Sequence, residues 1–207
     1  MDYLLANQER VIELFLQHIV LVSISMAVAL VIAVPVSIFA VRHPRVQAMI
    51  LGIWGIIYTI PSMALLALLI PWFGLGTYSA LVALVAYTQM ILVRNIVAAI
   101  TNINPAVTEA ALGMGMNKWQ LLYKIELPLA LPLVDSGIRI AIVTIIGIAS
   151  IAAFIDAGGL GVIIFEGIRT DNPSKVVAGT ILLAALSIGA DGLFRLVELW
   201  LSLRPRT

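Results

Sequence analysis

No cysteine occurs in the 207 residues, which removes disulfides, thiolate metal sites and cysteine nucleophiles together. Histidine is nearly as scarce: His18 and His43 are the only two. They fall near opposite predicted faces of the first apolar span, so no metal or catalytic cluster can be assembled from them. Charge is thin as well. Asp, Glu, Lys and Arg make up 11% of the chain against 62% hydrophobic residues, where a soluble domain carries about a quarter charged. A net charge of +1 and the lack of a basic stripe interleaved with aromatics leave no footprint for nucleic acid. No G-x-x-x-x-G-K-[ST] run is present, so the chain is not itself a phosphate-loop ATPase. The first 17 residues carry Asp2, Glu9, Arg10 and Glu13 in place of a basic region and a short apolar core, and so do not read as a secretory signal.

What the chain has in abundance is uncharged apolar length, with a mean hydropathy of +1.11. About 20 apolar residues cross a hydrocarbon layer of roughly 30 Å as helix, and a helix pairs its backbone groups within the segment, as hydrocarbon demands. Five spans follow, at 19–41, 46–72, 78–93, 133–154 and 176–199. The second is broken by Pro61, and the third meets Arg94 at its end. The expected fold is an all-α membrane protein with a single transmembrane domain over 1–207, residues 1–18 forming an outer N-terminal helix. Arg42, Arg45, Arg94, Lys118, Lys124, Arg204 and Arg206 then share one side, against Arg10, Arg169 and Lys175 on the other. Short loops rich in Lys and Arg stay cytoplasmic, so the N-terminus is expected outside and the C-terminus inside.

Residues 95–132 form the one long cytoplasmic segment of this topology and read as two short helices. Asn104-Pro105 starts the first, Gly113 and Gly115 break it, and Asn117 caps a second over 118–125 that Pro128 and Pro132 are expected to end. Within the segment stand Glu109-Ala110-Ala111, Gly115, Ile125, Leu127 and Pro128. Their order and spacing resemble the EAA motif of the membrane subunits of bacterial ABC importers: E-A-A, three residues, G, nine residues, I, any residue, L-P. The resemblance implies a cytoplasmic hairpin that docks in a cleft of a separate ATPase. Glu109, Ala110, Ala111 and Gly115 are expected to fix the hairpin, while 116–124, with Met116, Lys118 and Trp119, inserts into the ATPase. Met114, Met116, Trp119, Leu121, Leu122 and Tyr123 would supply the apolar partner surface. The alternative is an amphipathic hairpin lying on the membrane, with Trp119, Tyr123 and Lys124 at the interface.

Further stretches, Ile32-Ala33-Val34-Pro35, Thr59-Ile60-Pro61-Ser62, Arg94-Asn95 and Ala157-Gly158-Gly159-Leu160-Gly161, resemble permeases for glycine betaine, carnitine and choline. Methionine importers share the glycine-rich element. The resemblance implies a multi-pass protein of the bacterial inner membrane that works with a cytoplasmic ABC ATPase dimer, a second membrane subunit and an extracytoplasmic binding protein. ATP would be bound by the partner, and the chain would need no cofactor of its own. Trp54, Tyr58, Pro61, Ser62, Tyr87 and Asp156 are the candidates for a translocation path or gate. Against this stand interface anchoring or packing for the aromatics, a static kink at Pro61 and a solvated Asp156. Asp135 with Arg139, and Asp191 with Arg195 and Glu198, are spaced to pair along single helix faces. Gly137, Gly147, Gly179 and Gly189 permit close helix contact. An ion-coupled secondary transporter and a membrane-embedded enzyme are the competing classes. Against the first stand few central charges and no evident inverted repeat, against the second the want of a catalytic cluster.

Overall fold

A computed structural model describes residues 7–203, with side chains through Leu196 and at Leu199. Asp2, Arg204 and Arg206 lie outside the described residues, as does the side chain of Glu198. Helix α1 covers Gln8–Val41, α2 Pro44–Thr59, α3 Ser62–Phe73 and α4 Thr77–Thr101. The hairpin consists of α5, Pro105–Gly113, and α6, Lys118–Leu121, which continues through a π-helical turn, Leu122–Glu126, into α7, Leu127–Ala152. Helices α8, Gly161–Arg169, and α9, Pro173–Leu203, complete the chain. Among the described residues, four stretches are each long and apolar enough to span a bilayer, and the α2–α3 pair, bent by 100°, makes a fifth if counted as one span.

Helix α4 is the centre of the bundle, packing on α1 at one side and α7 at the other, with α9 against α7. The helices approach closely because the seams are lined with small residues: Ala29 and Ala33 of α1, Ala80 and Ala83 of α4, and Ala141 and Ala149 of α7 are all fully buried. In hydrocarbon, such seams supply van der Waals contact that larger side chains would hold apart. Of the glycines, Gly137 is pressed against Asn95 and Gly179 against Ile164, while Gly147 and Gly189 face open space.

Several expectations need correction. The outer N-terminal helix is not separate, since Gln8–Val41 is one unbroken helix that also runs through Pro35. Arg94 does not end the third span but sits within α4, which continues to Thr101. Pro128 and Pro132 do not end the second hairpin helix. The wide turn bonds the Leu127 N–H to the Leu122 carbonyl, so the ladder restarts at Leu127 with Pro128 in a first turn, where no donor is required. Lys118–Ile155 is thereby continuous. Helix α8, after the glycine-rich element, has no counterpart among the expected spans. Arg139 Nε donates to Asp191 Oδ1 at 3.3 Å, a contact between α7 and α9 that spacing along one helix does not foresee.

Candidate coupling hairpin and translocation cleft

The hairpin is built from caps. Asn104 Oδ1 accepts from the Ala106 N–H at 3.0 Å, with Pro105 starting α5. At the far end Met114 N–H donates to the Ala110 carbonyl and Met116 N–H to the Ala111 carbonyl. Gly115, at φ +84°, takes the left-handed conformation that closes the turn, which L-residues adopt only at a cost. Asn117 and Gln120 then form a reciprocal capping box: Gln120 N–H donates to Asn117 Oδ1 at 2.9 Å, and Asn117 N–H to Gln120 Oε1 at 2.9 Å. The two short helices are joined by a turn closed through these backbone bonds and side-chain caps.

The faces sort differently from the sequence expectation. Ala111 is buried inside the turn, Met116 is half-buried, and Glu109, Ala110 and Lys118 are exposed. Among the described residues, the Glu109 side chain makes no hydrogen bond or ion pair, so it contributes nothing of that kind to fixing the hairpin. Leu121 and Leu122 are buried under it and do not belong to the exposed apolar surface. That surface is Leu112, Met114, Trp119 and Tyr123, the last two stacked at 6.0 Å between ring centroids. Leu127 is half-buried and Pro128 exposed at the start of α7.

Behind the hairpin lies a pair that the sequence reading missed. Arg42, the residue that caps α1, donates to Glu126 through both terminal guanidinium nitrogens, one of them Nη1 to Oε1 at 3.2 Å. Glu126 is buried at 4% exposure. It occupies the unspecified position between Ile125 and Leu127-Pro128, and the only signal available was a carboxylate two residues after Lys124 in a mostly apolar run.

The break in the second span is a site of its own. Ile60 is extended, at φ −68° and ψ 129°, as the residue before a proline should be. Its freed carbonyl accepts from the hydroxyl of Tyr87 in α4. Tyr87 also meets Tyr58 edge-on at 5.8 Å. Beside them a cleft of about 340 Å³ is lined by Tyr58, Met90, Ile91, Arg94, Asn95 and Ala98. Of the path candidates, the structure thus brings Tyr58, Tyr87 and the Pro61 break together. Trp54 and Ser62 are half-buried on the flanking helices and do not line the cleft.

Asp156 lies elsewhere, at the opposite end of the bundle from the hairpin. It is left-handed at φ 68° and borders a pocket of about 420 Å³ with Gln17, Thr77 and Gly158. Here the glycine-rich element clasps the outer ends of α1 and α4. Gly159 N–H donates to Gln17 Oε1 at 3.3 Å, and Gly76 N–H donates to the Ile155 carbonyl at 2.7 Å. A Cβ on Gly159 would come within 2.8 Å of the buried His18 ring, so no larger residue fits. Glu166 of α8 draws in Arg10 and, at 3.8 Å, Lys175.

Comparison with known proteins converges on one family. Residues 25–202 match the family described as binding-protein-dependent transport system inner membrane component. The osmoprotectant import permease protein OsmW of Salmonella typhimurium is 37% identical over 97% of this chain and 95% of its own length. The carnitine transport permease protein OpuCD of Listeria monocytogenes is 38% identical over 95% of this chain and 89% of its own. The choline transport system permease protein OpuBD of Bacillus subtilis is 36% identical over 98% and 90% respectively. In fold, a chain of the MetNI methionine ABC transporter in an inward facing conformation superposes with a TM-score of 0.80, at 23% identity, covering 89% of this chain and 93% of that one. The chain therefore belongs to the family of binding-protein-dependent transport system inner membrane components.

Proposed function

We propose that the chain is the permease subunit of an ATP-binding-cassette importer for quaternary-amine osmoprotectants of the glycine betaine, carnitine and choline class. The observation that carries this reading is the capped hairpin, whose exposed Met114, Trp119 and Tyr123 give an apolar partner surface on the cytoplasmic side, in a chain that resembles osmoprotectant and carnitine permeases along nearly its whole length. A separate ATPase docks on that surface with Glu109, Ala110, Met116 and Lys118, while Ala111, Gly115, Leu127 and Pro128 hold the hairpin's shape. A second membrane subunit completes the path. A binding protein delivers the solute at the end marked by Asp156.

In this scheme the Pro61 break is the gate. The Ile60 carbonyl before it is held by Tyr87, and the exposed ring of Tyr58 offers a transient cation–π surface to a trimethylammonium group. Hydrolysis on the ATPase moves the hairpin, and the bend between α2 and α3 opens or closes. The test is uptake of labelled glycine betaine, carnitine, choline and methionine into vesicles holding the chain with its ATPase and binding protein. ATP-dependent uptake of a quaternary amine is expected. Methionine uptake alone would overturn the substrate class, and uptake without ATP the importer.

A further inference from the structure

Resting on the importer reading above, we propose that Arg42 and Glu126 are the joint through which movement of the hairpin reaches the first helix, which makes both of them positioning residues for energy coupling. Three observations meet there. Glu126 is the last residue of the π-helical turn, so it sits where the hairpin becomes the seventh helix. Arg42 is the capping residue of α1, so it moves with the inner end of that helix. Beside them a groove of about 660 Å³, lined by Arg42 together with Pro35, Phe39, Lys118 and Trp119, runs between the inner end of α1 and the hairpin, and Glu126 lies outside its lining. Next to that groove the inner end of α1 is tied to the end of the hairpin by a two-nitrogen guanidinium–carboxylate contact, a directional ion pair.

The two partners are not equivalent. The Glu126 side chain is 6% exposed and that of Arg42 is 35% exposed. Removing the arginine leaves a buried carboxylate without its cation, whereas removing the carboxylate leaves a cation that can reach water. Loss of Arg42 is therefore the harsher change. The conservative Arg42→Lys keeps the charge but loses the planar fork.

The experiment measures solute imported per ATP hydrolysed in vesicles holding the complete complex. Glu126→Gln and Arg42→Gln are expected to keep hydrolysing ATP while this ratio falls by roughly tenfold, the size of an ordinary coupling free energy between two sites, with the larger fall in Arg42→Gln. Arg42→Lys should fall between them and the wild type, and exchanging the charges with Arg42→Glu and Glu126→Arg should recover part of the loss. An unchanged ratio in an intact Glu126→Gln complex would overturn the joint. Absence of ATP-driven uptake in the wild type would instead overturn the importer reading.

A second measurement does not depend on the Arg42 and Glu126 variants folding. The chain is free of cysteine, so Val41→Cys and Lys124→Cys can be spin-labelled in an otherwise unaltered protein. Their separation should stay constant between the nucleotide-free and ATP-trapped states. A separation that changes as α1 and the hairpin part company would overturn the joint.

Discussion

A single backbone conformation decides the hairpin. Gly115 stands at φ +84°, where any L-residue costs about 1–2 kcal/mol. Gly115→Ala is expected to insert normally but to lower ATP hydrolysis stimulated by the loaded binding protein, and hydrolysis assays on the purified complex would detect it. Full stimulation would remove the turn from the coupling path. This glycine was legible because the motif prescribes it. Glu126 was not, because the motif leaves its position open and its partner lies 84 residues earlier in the chain. Arg94 was misplaced for a related reason. A charge after an apolar run reads as the end of a span, yet the apolar residues that follow it carry α4 on to Thr101.

Two prolines at the element scale behave in opposite ways. Pro61 turns a span by 100°, whereas Pro128 is absorbed into a continuous helix. The difference lies in what surrounds each one. At Pro61 the extended Ile60 has its carbonyl taken up by Tyr87 from a neighbouring helix, and at Pro128 a π-helical turn has already reset the ladder. Neither the hydroxyl from another helix nor the wide turn has a local sequence signature, so the spans and the break at Pro61 were legible, but what holds that break and the passage of the helix through Pro128 were not. Tyr87→Phe leaves the Ile60 carbonyl without its donor, and we expect a loss of about 1–3 kcal/mol in stability. Thermal unfolding in detergent would measure it, and an unaltered midpoint would show that the hydroxyl does not hold the break. Uptake should fall in the same variant, because the bend loses its fixed angle.

The whole molecule has two chemically distinct ends. Arg42, His43 and the hairpin gather at one, and Gln17, Asp156 and the glycine-rich element at the other. With the basic end inside, a single cysteine at the exposed Thr77 should react with a membrane-impermeant maleimide in whole cells, and one at Arg45 only after permeabilisation. The reverse pattern would invert the topology. Membership of the transport family and the number of spans could be read from hydropathy and motif alone. The continuity of Lys118–Ile155 could not, and it has a mechanical consequence. Those 38 residues form a rod about 57 Å long at roughly 1.5 Å per residue. Pivoted at the hairpin, a tilt of about 5° swings the far end of such a rod by about 5 Å. On the importer reading, the ATPase therefore holds the short arm of a lever whose long arm ends at the outer mouth, and a slight rotation at the grip is magnified where the solute enters.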